Sequence, residues 1–376
     1  MSRNESSRTG IPVIRIIILL VLAAIVLVIL LNEESIRSSS YFTMLFGNDL
    51  EGEPTTSYNF APDSANTFAV YRDGLSVLSS TGLSVYDKTG RESLALSASM
   101  TKPVLKAAGR YLIGYDVGGN CLLYIRDTKL VENILTDAPV LISEVNNRGW
   151  ILTVSEKLGS KATCLIYNED LELIYEWISS ERYITCSAIS DDCKSAVIGG
   201  IQQKDASVVS SVVFIRFDTE TPYAEVEFND VVILDVGFLK GGGVAVLTEN
   251  CLMVYDEDGT KWGSFEFDSE LLHEYGFDGD GFILLRLARG SSNEISDVYV
   301  LNYECEVEQS IAYSNIMAID AEENYFGILT SNMVVVYNKN LERQFTTGIS
   351  AGGKRLLVNE GGAAFVLSTV EATIYR

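Results

Sequence analysis

A unit recurring about every 41 residues, little helical periodicity after residue 60, and short β-branched and aromatic runs broken by Gly, Asp and Asn together predict an all-β repeat domain, a β-propeller. One long apolar segment near the N-terminus predicts a single transmembrane helix ahead of it.

The repeat is clearest at its third strand. An apolar run ends in an aromatic residue, followed by Asp or Asn, a turn and a further strand. The aromatic falls at Tyr86, Tyr167, Phe217, Tyr255, Tyr303, Tyr337 and Tyr375, and a degenerate copy places Arg126 at the equivalent position. A period of about 40–45 residues with four short strands per unit belongs to propeller blades. The fifth copy divides into VVILDVGF (inner), GVAVLTE (second), CLMVYDE (third) and TKWGSFEF (outer). Blades stack face to face, so strands covered on both sides read as continuous apolar runs. Counting third strands gives eight blades; seven is the alternative if the first or the degenerate copy is not a full blade. The chain stops after the third strand of the last unit, which leaves an open edge. A segment near residues 57–60 is expected to supply the missing outer strand and close the ring.

Residues 16–31 are all apolar, and extension back to Ile11 is interrupted only by Pro12 and Arg15. A bilayer core needs about 20 helical residues; Pro12 sits in the first turn and Arg15 reaches the interface. The Asn32-Glu33-Glu34 that follows is not a small-x-small cleavage site, so the segment reads as a retained anchor. Arg3, Arg8 and Arg15 against Glu5 precede it, whereas Glu33 and Glu34 against Arg37 follow it. The positive-inside rule then puts the N-terminus in the cytoplasm and the large domain outside. The expected organisation is a cytoplasmic N-terminus (1–10), a transmembrane helix (11–31), a linker (32–55) and the propeller (56–376). No N-x-[ST] sequon follows the anchor, and a bacterial cell envelope fits.

Asp and Glu number 51 against 28 Lys and Arg, for a formal charge of −23. Such a surface repels phosphate backbones, which excludes a nucleic-acid partner and an anionic lipid surface for the domain itself. The single histidine, His273, argues against a multi-histidine metal site and reads as a surface or loop residue. Of Cys121, Cys164, Cys186, Cys193, Cys251 and Cys305, none forms a C-x-x-C pair, and most sit in apolar runs; reduced, buried thiols are expected. Phe277-Asp278-Gly279-Asp280-Gly281 is too short for a calcium loop and reads as an Asp-Gly turn. Residues 256–262 read as a turn with Trp262 packed between blades, and Gly241-Gly242-Gly243 as an inner-to-second strand turn. There is no G-x-S-x-G elbow. No catalytic, cofactor-binding or metal-binding residue is assigned, and no cofactor is expected.

Segments such as SAISDDCKSAVIGG and VYDEDGTKW resemble blade units of the quinoprotein-like and WD40-like propeller superfamily, over roughly residues 60–376. The whole layout resembles an uncharacterised family of single-pass, membrane-anchored propellers of Gram-positive bacteria. That resemblance implies a fold and no activity. Three tryptophans, Trp150, Trp177 and Trp262, do not supply the regular Trp-docking pattern of the quinone-dependent enzymes. Three hairpins between second and third strands look extended, at 156–161, 201–207 and 288–296, and propeller geometry puts them on one face. Lys157, Lys161, Gln202, Lys204, Arg289 and Asn293 are the candidate binding-face residues. The expected function is a membrane-anchored extracytoplasmic binding or scaffold module for a protein or cell-envelope ligand. The competing expectation is an envelope hydrolase or quinone-dependent dehydrogenase using carboxylates or calcium in the central channel.

Overall fold

The computed structural model describes residues 51–376, apart from 157, 205–206, 291–293 and 350–351. The expected transmembrane helix and most of the linker lie outside the described residues.

Eight four-stranded antiparallel sheets form an eight-bladed β-propeller. Seven blades are consecutive in the chain, over 67–97, 103–135, 140–179, 183–229, 233–266, 272–314 and 316–348. Within each, inner, second, third and outer strands follow in order. The eighth takes Arg355–Val358, Ala364–Leu367 and Glu371–Tyr375 from the C-terminus and its outer strand, Pro54–Asn59, from the N-terminus. Closure therefore occurs as expected, with Thr56 opposite Ile374 and Tyr58 opposite Ala372. Tyr58 is fully buried there, its ring stacked 6.3 Å from that of Phe365. Glu53 and Arg376 exchange backbone hydrogen bonds of 3.0 and 3.2 Å, and Glu51 bridges to Thr346.

Local chemistry explains the repeat. The Asp or Asn after the third-strand aromatic turns its side-chain oxygen onto the backbone of the next turn. Asp87 Oδ1 accepts from the N–H groups of Thr89 and Arg91, Asn168 from Asp170 and Glu172, Asp256 from Asp258 and Thr260, and Asn338 from Asn340 and Glu342. Blade two replaces this with a two-residue turn, Asp127 and Thr128 at φ of 51° and 60°, so the aromatic-Asp signature is lost while the blade is complete. A second signature lies at the end of the second strand. The hydroxyls of Ser79, Thr248, Thr330 and Ser368 each accept the N–H three residues on and donate to the same residue's carbonyl, closing the hairpin.

The core lies between blades. Leu152, Val154 and Ile166 of blade three pack with Ile184, Ile198 and Val213 of blade four, all buried. Because each sheet is covered on both faces, its middle strands carry unbroken apolar runs such as Val244–Thr248, buried throughout. All six cysteines are free thiols, and burial pushes those of Cys164, Cys186 and Cys305 up to about 12. Trp262 departs from expectation: it is half-exposed on an outer strand, with its ring against Gly243. Gly241, Gly242 and Gly243 all have positive φ and do form the inner-to-second strand turn of blade five.

Candidate functional site

Antiparallel order fixes the two ends of the ring. Second-to-third hairpins and blade-to-blade connections share one end, the hairpin end; inner-to-second and third-to-outer turns share the other, the turn end. Of the hairpins expected at 156–161 and 288–296, the described residues lie at the hairpin end. The third expected hairpin, 201–207, is strand up to Lys204 and again from Ser207. Strands Ser195–Lys204 and Ser207–Arg216 pair along their full length, so Gln202 and Lys204 are strand residues and Gln202 is buried. Both turn onto Glu227 of their own blade, at 3.5 Å from Gln202 Nε2 and 2.6 Å from Lys204 Nζ. Arg289 forks onto Asp297 at 2.9 and 2.5 Å. Lys161 Nζ lies 2.7 Å from the Tyr183 hydroxyl and 4.6 Å from its ring centroid. Lys157 and Asn293 lie outside the described residues. The four described candidates share an end of the ring, yet each is engaged by a neighbouring side chain.

Inner strands face the ring axis, and ionisable residues of different blades act on one another there, Lys106 on Asp235 and Asp278 and Asp235 on Glu144. Lys106 Nζ meets Glu144 at 3.1 Å across two blades. Lys240, from the inner-to-second turn of blade five, reaches Glu322 and Glu323 of blade seven at 2.8 Å each. Asp235 accepts from Tyr275 Oη at 3.0 Å, and Asp320 from the N–H of Val358 at 2.6 Å. Glu274 is held at 2.7 Å by Arg286, a buried arginine. Asp278 has no side-chain hydrogen bond among the described residues, although the charges of Lys240 and Lys106 act on it. Burial raises the carboxyls of Glu144, Asp235, Glu274, Asp278 and Glu322 above their ordinary range, and that of Asp320 well above it; Lys106, Lys240 and Arg286 partly offset this for their neighbours. Such carboxyls retain protons further towards neutrality, as general acids do. No three His, Cys, Asp or Glu among the described residues are arranged to hold a metal ion. Phe277-Asp278-Gly279-Asp280-Gly281 contributes to this end of the channel: Asp280 N–H donates to Glu323 O at 2.7 Å, and Glu323 N–H to Asp278 O at 3.0 Å. His273, exposed, sits at a bulge near the start of the blade-six inner strand.

The rim gives a third feature, which sequence patterning did not disclose. Outer strands of most blades turn polar residues to solvent, as in Ala224–Asn229, where Glu225, Glu227 and Asn229 are exposed. Blades two and three differ. Their outer strands, Lys129–Leu135 and Leu173–Ser179, expose Leu130, Val131, Leu135, Leu173, Ile174 and Ile178, with Leu135 at 78% and Ile178 at 53%. On the remaining described outer strands large exposed apolar side chains occur singly, as Trp262 and Val307. Six on two consecutive blades form a concentration of the kind that marks contact surfaces.

Comparison with known proteins supports the fold. The C-terminal WD40 domain of Sif2 matches with a TM-score of 0.58 at 13% identity, covering 87% of this chain and 97% of that one. BamB from Moraxella catarrhalis matches with a TM-score of 0.54 at 13% identity, covering 86% of this chain and 97% of that one. At such identity the likeness speaks for a WD40-like propeller fold alone. No curated protein matches the sequence. A family model described as "Family of unknown function (DUF5711)" matches residues 52–373.

Proposed function

The chain belongs to the DUF5711 family of unknown function, and from that premise we propose that it is a protein-binding module whose ring is a rigid carrier and whose contact surface is the rim of blades two and three. The observation that carries this reading is the six exposed apolar side chains on those two outer strands. Exposed apolar area of this concentration is costly in water unless a partner covers it. The reading includes a membrane tether at residues 11–31 with the ring on the extracytoplasmic side, supported by the apolar run and the Arg3, Arg8, Arg15 flank. The test is site-specific photocrosslinking in the full chain, with the photoreactive residue at Leu135 or Ile178 and, as control, at Glu227 on the polar rim of blade four. Adducts to one defined protein from 135 and 178, absent from 227, are expected. Equal adducts from all three positions would sink the reading. Protease protection of the ring in sealed vesicles tests the side of the membrane.

A second reading, an envelope hydrolase or quinone-dependent dehydrogenase, draws on the raised carboxyls of the channel and on the unpartnered Asp278. A rise in melting temperature with calcium or a quinone cofactor, lost in Asp278→Asn, would favour it over the binding module.

A further inference from the structure

At the turn end of blades two to four lies an open recess of about 460 Å³. Its base is Tyr111, whose buried ring stacks on Tyr124 at 6.0 Å with the planes 5° apart. One wall is the inner-to-second turn of blade three, and several contacts hold that turn. Asn146 Oδ1 accepts from the N–H groups of Arg148 and Trp150, while its Nδ2 donates to Ser190 O of blade four at 2.7 Å. Gly149 has φ of +80°, and a Cβ there would lie 2.4 Å from the Tyr111 ring, so the turn approaches the base as only glycine permits. The Tyr124 hydroxyl donates to Gly149 O at 3.1 Å. The Trp150 ring stacks on Phe217 at 5.9 Å. Arg148 and Trp150 are therefore presented by a fixed scaffold.

Charge around the recess is already spoken for, with one exception. Asp127 is held by Arg72 at 2.9 Å and by Arg110, and Asp191 by the backbone and side-chain N–H groups of Asn147 at 2.9 and 2.8 Å. Glu169 accepts from the Tyr111 hydroxyl at 2.8 Å. Arg148 is exposed, and its guanidinium has no hydrogen bond or ion pair among the described residues. In a chain of net charge −23, an unpaired guanidinium beside an indole wall is a group matched to an anion with an apolar neighbour. The flanking carboxylates of Glu169 and Asp191 disfavour a doubly charged ligand and admit a singly charged one.

We propose that this recess is a carboxylate-binding site that receives an acidic group of the partner peptide, paired with Arg148 and packed on Trp150. The partner's identity as a protein rests on the binding-module reading; the recess chemistry does not.

The test uses the full chain in detergent with Trp177→Phe and Trp262→Phe, so that Trp150 is the sole indole reporter. Four probes are titrated: N-acetyl-Leu-Glu-amide, N-acetyl-Leu-Gln with a free terminal carboxyl, the neutral N-acetyl-Leu-Gln-amide, and inorganic phosphate. A saturable change in Trp150 emission with either acidic probe, none with the neutral one, and roughly tenfold weaker binding in Arg148→Gln with partial rescue in Arg148→Lys are expected. The two acidic probes tell a side-chain from a terminal carboxylate. Equal responses to acidic and neutral probes, an unaffected Arg148→Gln variant, or tighter binding of inorganic phosphate than of both peptides would overturn the assignment. Leu135→Glu/Ile178→Glu should leave these titrations unchanged. Absence of rim-specific crosslinks at 135 and 178 in the otherwise unchanged chain, with intact titration, therefore sinks the binding-module reading alone, and rim-specific crosslinks without a saturable titration sink the recess alone.

Discussion

Inside the ring, Lys106 finds Glu144 at 3.1 Å and Lys240 finds two glutamates at 2.8 Å; on the outside, Leu135 and Ile178 remain 78% and 53% exposed. Both regions depart from the ordinary sorting of apolar residues inward and charges outward. In the channel most of the departure is compensated within the chain, because lysine, arginine, tyrosine or backbone N–H groups meet the carboxylates. On the rim of blades two and three no charge or hydrogen bond can compensate, since the groups are hydrocarbon. The contrast separates self-sufficient polarity, which serves the ring, from exposed apolar surface, which serves a contact.

The largest effect tests the assumption that both regions belong to one cooperative ring. Deleting residues 363–376 removes the partner of strand Pro54–Asn59, and the whole domain should lose its cooperative melting transition. A truncated chain that melts as sharply as wild type would count against closure.

The next substitution sets channel against rim directly. Arg286→Met leaves Glu274 without its cation and Ile316 O without a donor, and should cost about 3–5 kcal/mol in chemical denaturation. Leu135→Glu should stay within about 0.5 kcal/mol, as surface changes do. Similar costs at both positions would erase the distinction drawn above.

Acidity sharpens it further. Glu144, Asp235, Glu274, Asp278, Asp320 and Glu322 have folded values above their ordinary 3.8 or 4.5. Between the ordinary and the raised values the folded ring binds more protons than the unfolded chain, so stability rises as pH falls through that window. Asp63, Asp87 and Asp192 are lowered, Asp87 to about 2 by bonds from Thr89; their contribution is present above 3.8 and lost as pH falls below it. Melting temperature should therefore climb as pH falls from neutrality towards the ordinary carboxyl values and decline below about pH 4. Asp320→Asn should raise stability at pH 7 and flatten the climb; a variant with an unchanged profile would remove the channel as its source.

The smallest effect is chemical. With thiols pushed up to about 12, Cys164, Cys186 and Cys305 should resist iodoacetamide at pH 8 in the folded chain and react on denaturation, as read by mass spectrometry. Rapid native labelling of these three would show that the blade interfaces open.

The repeat was legible because its signal is local: an Asp or Asn whose side chain closes the turn only a few residues ahead, as at Asn168 and Asn338. Arg126 looked degenerate because blade two uses left-handed residues at Asp127 and Thr128 instead. The hairpin at 201–207 was misread since its strands run ten residues each, and polar Gln202 and Lys204 resembled a loop. The channel was hidden by distance in sequence, its residues coming from different blades. Its signal was a lone charge in an apolar inner strand, as in Pro103–Ala108 with Lys106 and Ile233–Phe238 with Asp235. The rim was hidden for the opposite reason: LIYEWIS reads as an interior strand, and only the position of that strand in its blade exposes half of it.

Closure also sets the order in which the molecule can be finished. Thr55 Oγ1 donates to Ile374 O, 319 residues away along the chain. The ring's N-terminal strand, Pro54–Asn59, must wait for its C-terminal one, Glu371–Tyr375, so until that strand is made the blades can stack only into an open arc. The seam then joins after Glu371–Tyr375 emerges, and until that moment both free edges are exposed to neighbouring chains.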